Sequence, residues 1–535
     1  MQIITVITFI LFIALTAVIS WWKTRGTDLG NSDGYFLAGR SLTWPVIAAS
    51  LILTNISTEQ MIGLNGNAFT HGACVMAWET VASIAMVAMA LFFLPRYLKS
   101  GITTVPQFLE ARFGRNMRSM VSLMFLVALT ITFLPFVLYS GAIGMNSLFH
   151  VDEAFGISPQ ASIWVMTIAL SIAGYGFAIC GGLKAAATSD AVYGVGLVIG
   201  GFIIPVLGLL KLGDGNMLNA FHIMATNRPE MLNPVAGPTA NIPFSTLFTG
   251  MIIINLFYWC TNQAIVQRTF GAKDLAESQK GVLAASFLKI IGVGVLVLPG
   301  IIAWHLNAQG KLAISHQDLA YPVLVATILP PWLTGFFAAV MFGAIISSFN
   351  GGLNSVTALF SMDLYKPLIR KQASNAEVVK AGRIFGITLI IISIIIAPQI
   401  AKAPDGLYTL MRKLMAFFNI PILAIVLLGV LSKRAQALSA YIAVPIGIVF
   451  YYWASMVMDG KLFGHQFHWL HVAGINLVLI MSIMYIIRLI KPRKEAYVQA
   501  SSGEVDITFW KGAKAAGIAI VLLIVGIYWL LNKLF

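Results

Sequence analysis

The stretch Asn55-Ile56-Ser57-Thr58-Glu59-Gln60 interrupts an apolar segment that runs from about Leu42 to Ala68. Inside a bilayer no water is at hand to pair with these polar groups, so they must find partners in the protein or in a ligand. Polar breaks at membrane depth characteristically line a cavity or bind something. A second break, Asn255-Leu256-Phe257-Tyr258-Trp259-Cys260-Thr261-Asn262-Gln263, lies about two hundred residues further on. Two interrupted helices in one chain predict a transporter with its site between them.

The composition requires a membrane. Of 535 residues 59% are hydrophobic and only 10% charged, and the mean hydropathy is +0.86; a soluble domain carries about 25% charged residues. At about 20 apolar residues per crossing, the chain divides into roughly fourteen helices, near 3–22, 43–69, 73–96, 117–148, 160–180, 188–210, 246–269, 279–305, 332–365, 379–400, 404–432, 436–458, 468–490 and 512–533. The fold class expected is an all-α polytopic membrane protein. The first run, from Ile3 to Trp22, has no basic residues before it and ends at Lys23 and Arg25, so it reads as a retained helix rather than a cleaved signal.

Lysines and arginines outnumber their counterparts in the opposite loops about fourfold when alternate loops are compared. By the positive-inside rule the basic set is cytoplasmic and both termini face outward. The same asymmetry accounts for the net charge of +14 without a nucleic-acid partner; the bilayer is the partner expected. The external loop from Lys211 to Phe244 holds Gly, Pro and Asn clusters typical of turns. Cys74, Cys180 and Cys260 have no metal-type spacing and read as buried thiols. No ATP-binding loop, zinc motif or nucleophile elbow stands in the sequence, which weighs against an enzyme.

The two breaks lie five helices apart, an odd number, so the halves that contain them face oppositely across the membrane. That is the geometry of an inverted repeat around a midplane site. The domain plan expected is 1–42, an extra helix and loop; 43–210, the first five-helix repeat; 211–245, the external loop; 246–432, the second repeat; and 433–535, three peripheral helices.

Away from the loops and helix ends, six charged side chains remain: Glu59, Glu79, Asp190, Lys289, Arg412 and Lys413. Each costs about 2.5–3.5 kcal/mol at the helix centre on insertion scales. Glu79 and Lys289 sit well inside apolar helices and read as functional, although mutual pairing that pins helices would also account for them. Glu59 reads more readily as a cap on amides freed by the break. Arg412 and Lys413 stand nearer an external helix end, where snorkelling competes with function. Trp78 beside Glu79, and Phe257, Tyr258 and Trp259 beside Asn255, offer flat rings. A sugar site wants such a ring together with Asn, Gln, Glu or Lys for hydroxyls; ordinary core packing is the alternative. Ser347 and Ser348 supply hydroxyls that, with carbonyls freed at the first break, would suit a sodium ion. Taken alone, a serine pair in a membrane helix more often bonds its own backbone or packs closely against a neighbour.

At these residues the chain resembles the solute:sodium symporter family, the group of sodium/glucose cotransporters, and within it the bacterial sodium/galactose branch and enterobacterial sugar symporters. The resemblance runs from about Tyr35 to Leu431. It rests on Tyr35-Phe36-Leu37-Ala38-Gly39-Arg40-Ser41-Leu42, Asn55 to Gln60, Gly181-Gly182-Leu183, Gln267-Arg268-Thr269-Phe270-Gly271-Ala272-Lys273, Ser347-Ser348 and Met362-Asp363-Leu364-Tyr365-Lys366. It implies a LeuT-type 5+5 inverted repeat with discontinuous second and seventh helices, and Na+ as the coupling ion. It further implies that Gln60, Glu79, Asn255 and Lys289 contact a sugar, that Tyr258 gates it from inside, and that Leu64 and Tyr408 form the outer lid. Leu53, Ile56 and Ala344, through carbonyls, and Ser347 and Ser348 match sodium ligands; Asp190 matches an acidic residue on the sodium exit path. Two positions depart from the pattern: Ala82 replaces a sugar-contacting serine, and Arg412-Lys413 replaces a Gln-Glu pair. The expected function is therefore sodium-coupled import of a small polar solute, most readily a sugar. A sugar acid, carboxylate or other non-sugar solute is the alternative in the same class, and a membrane sensor or channel the alternative outside it.

Overall fold

The computed structural model describes residues 3–24, 42–101, 104–180, 182–503 and 505–535. Among them, ten helices are long and apolar enough to cross a membrane, and three shorter apolar helices cover Ile3–Ile19, Trp44–Asn55 and Gly250–Cys260. In chain order the elements that place the site are α1 (Ile3–Thr24), α2 (Trp44–Asn55), α3 (Thr58–His71), α4 (Ala77–Ala88), α5 (Arg115–Ala128), α6 (Leu134–Phe149), α7 (Pro159–Cys180) and α8 (Gly182–Leu212). They continue with α9 (Gly250–Cys260), α10 (Gln263–Phe270), α11 (Leu275–Leu296), α12 (Leu298–Ala308), α13 (Pro331–Leu359), α14 (Asn375–Ile396), α15 (Gly406–Leu431), α16 (Ala437–Tyr452), α17 (Trp469–Ile490) and α18 (Ala513–Leu534).

The first break is short. α2 stops at Asn55, Ile56 and Ser57 are extended, and α3 starts at Thr58. The Ile56 N–H still reaches the Ile52 carbonyl at 2.9 Å, but the interruption takes the helical N–H partners from the carbonyls that follow. The second break, at Thr261 and Asn262, separates α9 from α10. Here the freed Cys260 carbonyl accepts the Tyr97 hydroxyl at 3.0 Å, and Thr261 Oγ1 bonds the Phe257 carbonyl at 2.7 Å.

A third break departs from the expectation of one helix over 279–305. The helix stops at Leu296 and restarts at Leu298, and Val297 lies off helical geometry (φ −128°, ψ −47°). Pro299 is its local cause, since it lacks the N–H that would continue the ladder. Asn65 on α3 repairs the gap: Oδ1 accepts the Gly300 N–H at 2.9 Å, and Nδ2 donates to the Met61 and Val295 carbonyls at 2.8 and 3.3 Å. The external loop also differs from a run of turns. It contains a helix at Met217–Asn227, capped by the Asn216 side chain and buried through Ala220 and Met224. Ala220 and Met224 are four residues apart and so share one face.

The broken helices are fastened together at the end that carries the basic loops. Leu42 bridges Ala272 in parallel, the Leu42 N–H donates to the Gly271 carbonyl at 3.0 Å, and an Arg268 Nη donates to Ser50 Oγ at 2.7 Å. The flanking helices clasp this centre. Thr5 on α1 bonds the Pro331 carbonyl at 3.1 Å, and Tyr528 on α18 lies 3.1 Å from Thr80 Oγ1 on α4.

Candidate solute and sodium site

α4 and α11 are held in register by a reciprocal serine pair. Ser83 Oγ donates to the Ser286 carbonyl and Ser286 Oγ to the Ser83 carbonyl, each at 2.9 Å. One helical turn away this sets Glu79 against Lys289, and the two form an ion pair with both side chains only 2% exposed. Gln60 Nε2, on the first turn of α3, donates to the other Glu79 oxygen at 2.7 Å. Lys289 also donates to Asn55 Oδ1, and Asn55 Nδ2 donates to the Tyr258 hydroxyl at 3.2 Å. A continuous polar chain, Gln60–Glu79–Lys289–Asn55–Tyr258, therefore ties both broken helices to α4 and α11. Glu79 and Lys289 thus pair with each other, and they do so beside the two breaks.

The chain of polar groups is covered on one side by aromatic rings. Tyr408 on α15 is buried, packs edge-on against Trp78 at 5.4 Å, and Trp78 stacks on Trp469 at 6.4 Å. Gly63 on α3 lets α15 approach: a Cβ there would sit 2.7 Å from the Tyr408 Cβ. Asn67 Nδ2 donates to Thr409 Oγ1 at 3.1 Å beside this contact, and Leu64 is fully buried. Beside this contact a cavity of about 360 Å³ is lined by His71, Asp405, Thr409, Lys413, His468 and Trp469, among others.

The adjacent cations separate. Lys413 faces that outer cavity and pairs with Asp405 at 3.0 Å. Arg412 turns inward, its guanidinium carbon 4.7 Å from the Tyr408 ring, 5.3 Å from Trp78 and 5.8 Å from Tyr258. Glu59 is buried with Oε2 unpartnered, and Ser57, not Glu59, occupies the N-cap position. Asn255 is buried and donates to the Met251 carbonyl at 3.0 Å.

Around the residues expected to hold sodium, α8 joins the end of α2 to α13 through glycines. An added Cβ at Gly194 would meet Leu53 at 3.0 Å, and one at Gly196 would meet Val340 at 2.6 Å. Close approach through small residues is how membrane helices pack. On α13 the Ser355 and Thr357 hydroxyls bond back to the Gly351 and Leu353 carbonyls at 2.7 and 2.9 Å. Ser347 and Ser348, half-buried together with Ala344, Leu53 and Ile56, make no such bond among the described residues. The back-bonding alternative for the serine pair thus applies to Ser355 and not to Ser347 or Ser348. Asp190 lies within α8, but its side chain falls outside the described residues, as do the segment from Tyr35 to Ser41 and Gly181.

Five contributing residues carry no role in the sequence reading. Asn55 belongs to the first break, yet its place as the hub between Lys289 and Tyr258 depends on tertiary contact. Asn65 and Asn67, in Leu64-Asn65-Gly66-Asn67, were visible only as unexplained amides in an apolar helix. Ser83 and Ser286 had no sequence signal, because neither is unusual in a membrane helix.

The sequence profile of the sodium:solute symporter family matches residues 35–447. The chain belongs to that family. This symporter is 46% identical over 528 residues to a protein of Escherichia coli K12 described as the uncharacterized symporter YidK, covering 99% of this chain and 91% of the relative. It is 31% identical to the sodium/glucose cotransporter of Vibrio parahaemolyticus, over 84% of each. It is 30% identical to the human sodium/myo-inositol cotransporter, over 82% of this chain and 64% of that protein. In fold it matches a Na+-coupled sialic acid symporter with a TM-score of 0.71 at 20% identity, covering 92% of this chain and all of the other. The symporter is accordingly a multi-pass membrane transporter, and sodium is its coupling ion.

Proposed function

We propose that this symporter carries sodium and a small polyhydroxylated solute, of the sugar or polyol class, into the bacterial cell by alternating access. The observation that carries the proposal is the polar chain Gln60–Glu79–Lys289–Asn55–Tyr258, buried where the two broken helices meet. In the closed form these groups satisfy one another. A solute rich in hydroxyls can replace those partners without leaving a buried group unpaired, which an apolar solute cannot do. The glucose and inositol cotransporters among the relatives support this solute class.

Gln60, Glu79, Lys289 and Asn255 are the solute contacts in this reading, with Trp78 as the stacking ring. Tyr258 closes the site from inside, and Leu64 and Tyr408 close it from outside. Sodium sits between the first break and α13, on the carbonyls of Leu53, Ile56 and Ala344 and the hydroxyls of Ser347 and Ser348, and leaves past Asp190. Sodium there would fix α2 and α3 relative to α13 and so set Gln60 for the solute. Fourteen spans, ten of them in two inverted five-helix repeats, with both termini outside, agree with the basic-loop asymmetry and the paired breaks. The chain works as a carrier of the unaltered solute and not as an enzyme. Each sodium entering gains about 2.3 kcal/mol per 100 mV, enough to concentrate a solute many-fold.

The test is uptake into proteoliposomes of a panel of sugars, polyols and sugar acids under sodium and under potassium gradients. Saturable uptake that follows the sodium gradient supports the reading. Non-saturable flux would indicate a channel, and tight binding without flux a sensor. A second reading, a sodium symporter for a sugar acid or carboxylate, is favoured by Arg412 at the site.

A further inference from the structure

Arg412 carries a positive charge that no carboxylate among the described residues contacts directly. The Glu79 oxygens are engaged by Gln60 and Lys289. Glu59 lies within the electrostatic reach of Arg412, but neither a hydrogen bond nor an ion pair joins them among the described residues. The guanidinium sits between the Tyr408, Trp78 and Tyr258 rings. One Nη donates to the Tyr408 hydroxyl at 2.6 Å, while Nε is shielded from solvent and has no acceptor. Ring faces attract the cation, yet they cannot fill its in-plane donors.

A guanidinium presents five donors in a planar fork and no acceptor. The Gln expected here by resemblance could both give and accept hydrogen bonds with a neutral hydroxyl. Arginine can only give, and it brings a charge whose desolvation must be offset. The group that fits the fork in shape and charge is a planar or tetrahedral oxyanion. At the other end of the site, Gln60, Asn55 and the Glu79–Lys289 pair both donate and accept, which suits hydroxyls.

We infer that the solute is a polyhydroxylated molecule bearing one oxyanion, a carboxylate or a sulfate ester, with the anion at Arg412 and the hydroxyls toward Gln60 and Glu79. This rests on the reading of this centre as the solute site. The anion would meet Arg412 as the Tyr408 lid closes, because the two residues share one turn of α15 and a hydrogen bond. Lid closure and anion recognition would then be a single event. Lys413, one residue on, takes no part, since it pairs with Asp405 in the outer cavity.

The experiment is a thermal-shift titration of the purified full-length protein, in sodium and in potassium. The probes are glucose, galactose, glucuronate, galacturonate, glucose 6-sulfate and acetate. The expected result is a sodium-dependent shift whose half-saturation is lower for an anionic hexose than for its neutral parent by about tenfold or more, with acetate inert. The uronates and the sulfate ester distinguish the two anions. Arg412→Gln should abolish the anionic preference, Arg412→Lys should retain part of it, and Lys413→Gln should keep it whole. A neutral parent hexose that binds the unaltered protein as tightly as its acid overturns the inference and leaves the sodium–sugar reading standing. So does an anionic preference that survives Arg412→Gln. If no solute of either kind gives a sodium-dependent shift, the solute-site reading itself fails, and the inference with it.

Discussion

Gln60 Nε2 donates to Glu79 Oε1 at 2.7 Å, joining the helix that begins at the first break to a carboxylate already neutralised by Lys289. The expected solute contacts are thus bonded to one another. A buried ion pair costs desolvation on both sides, and loss of one partner strands the other.

Removing one member of the pair should therefore cost more than removing both. Glu79→Gln or Lys289→Met alone should lower stability by about 3–5 kcal/mol, while the double variant should recover much of that loss. Solute transport should be absent in all three, because the hydroxyl-binding groups are gone. Melting in detergent and uptake by the same preparations separate the two effects.

The lid contact depends on the absence of a side chain at Gly63, where a Cβ would come within 2.7 Å of the Tyr408 Cβ. Gly63→Ala should keep α15 off α3 and favour an open outer side. With Cys74, Cys180 and Cys260 replaced by Ser, a cysteine introduced at the buried Thr409 should react several-fold faster with an impermeant maleimide in the Gly63→Ala protein. Equal rates would mean that the lid closes without this contact.

The free hydroxyls of α13 set a contrast within one helix. Ser347→Ala and Ser348→Ala should each raise the sodium concentration for half-maximal uptake by about tenfold or more. Ser355→Ala, which removes only a bond to the Gly351 carbonyl, should leave it unchanged. Sodium titrations of uptake at saturating solute read this directly.

Asp318, in the connection between α12 and α13, accepts the Leu407 N–H at 3.1 Å and so holds the start of α15. Burial lifts its carboxyl from 3.8 to about 6, so the folded chain holds this proton more tightly than the unfolded chain does. The stability gained is fully present below pH 3.8 and is lost as pH rises through about 6. Melting of the unaltered protein should therefore rise on acidification across that window relative to Asp318→Asn, which carries no proton to exchange. Parallel melting curves would contradict the assignment.

The breaks at Ile56 and Thr261 were legible in the sequence because polar residues at membrane depth are costly and seldom incidental. Glu79 and Lys289 were legible for the same reason. The break at Val297 is marked in the sequence only by Pro299 and Gly300, since its repair comes from Asn65, more than two hundred residues away. The helix in the external loop was hidden by its own punctuation: Asn216 reads as a turn residue and serves as a cap. Arg412 and Lys413 could not be distinguished in sequence. Adjacent positions on a helix point about 100° apart, and only the packing of α15 decides that one faces the rings and the other the outer cavity.

The measurement that bears most directly on the account is initial-rate uptake of the best-bound solute into proteoliposomes with sodium outside, compared with potassium outside, for the unaltered protein and for Ser348→Ala. The account predicts saturable uptake that requires the sodium gradient, and a shift of the Ser348→Ala curve to higher sodium. Uptake that proceeds equally in potassium, or a sodium dependence unmoved by Ser348→Ala, would contradict sodium binding between the first break and α13.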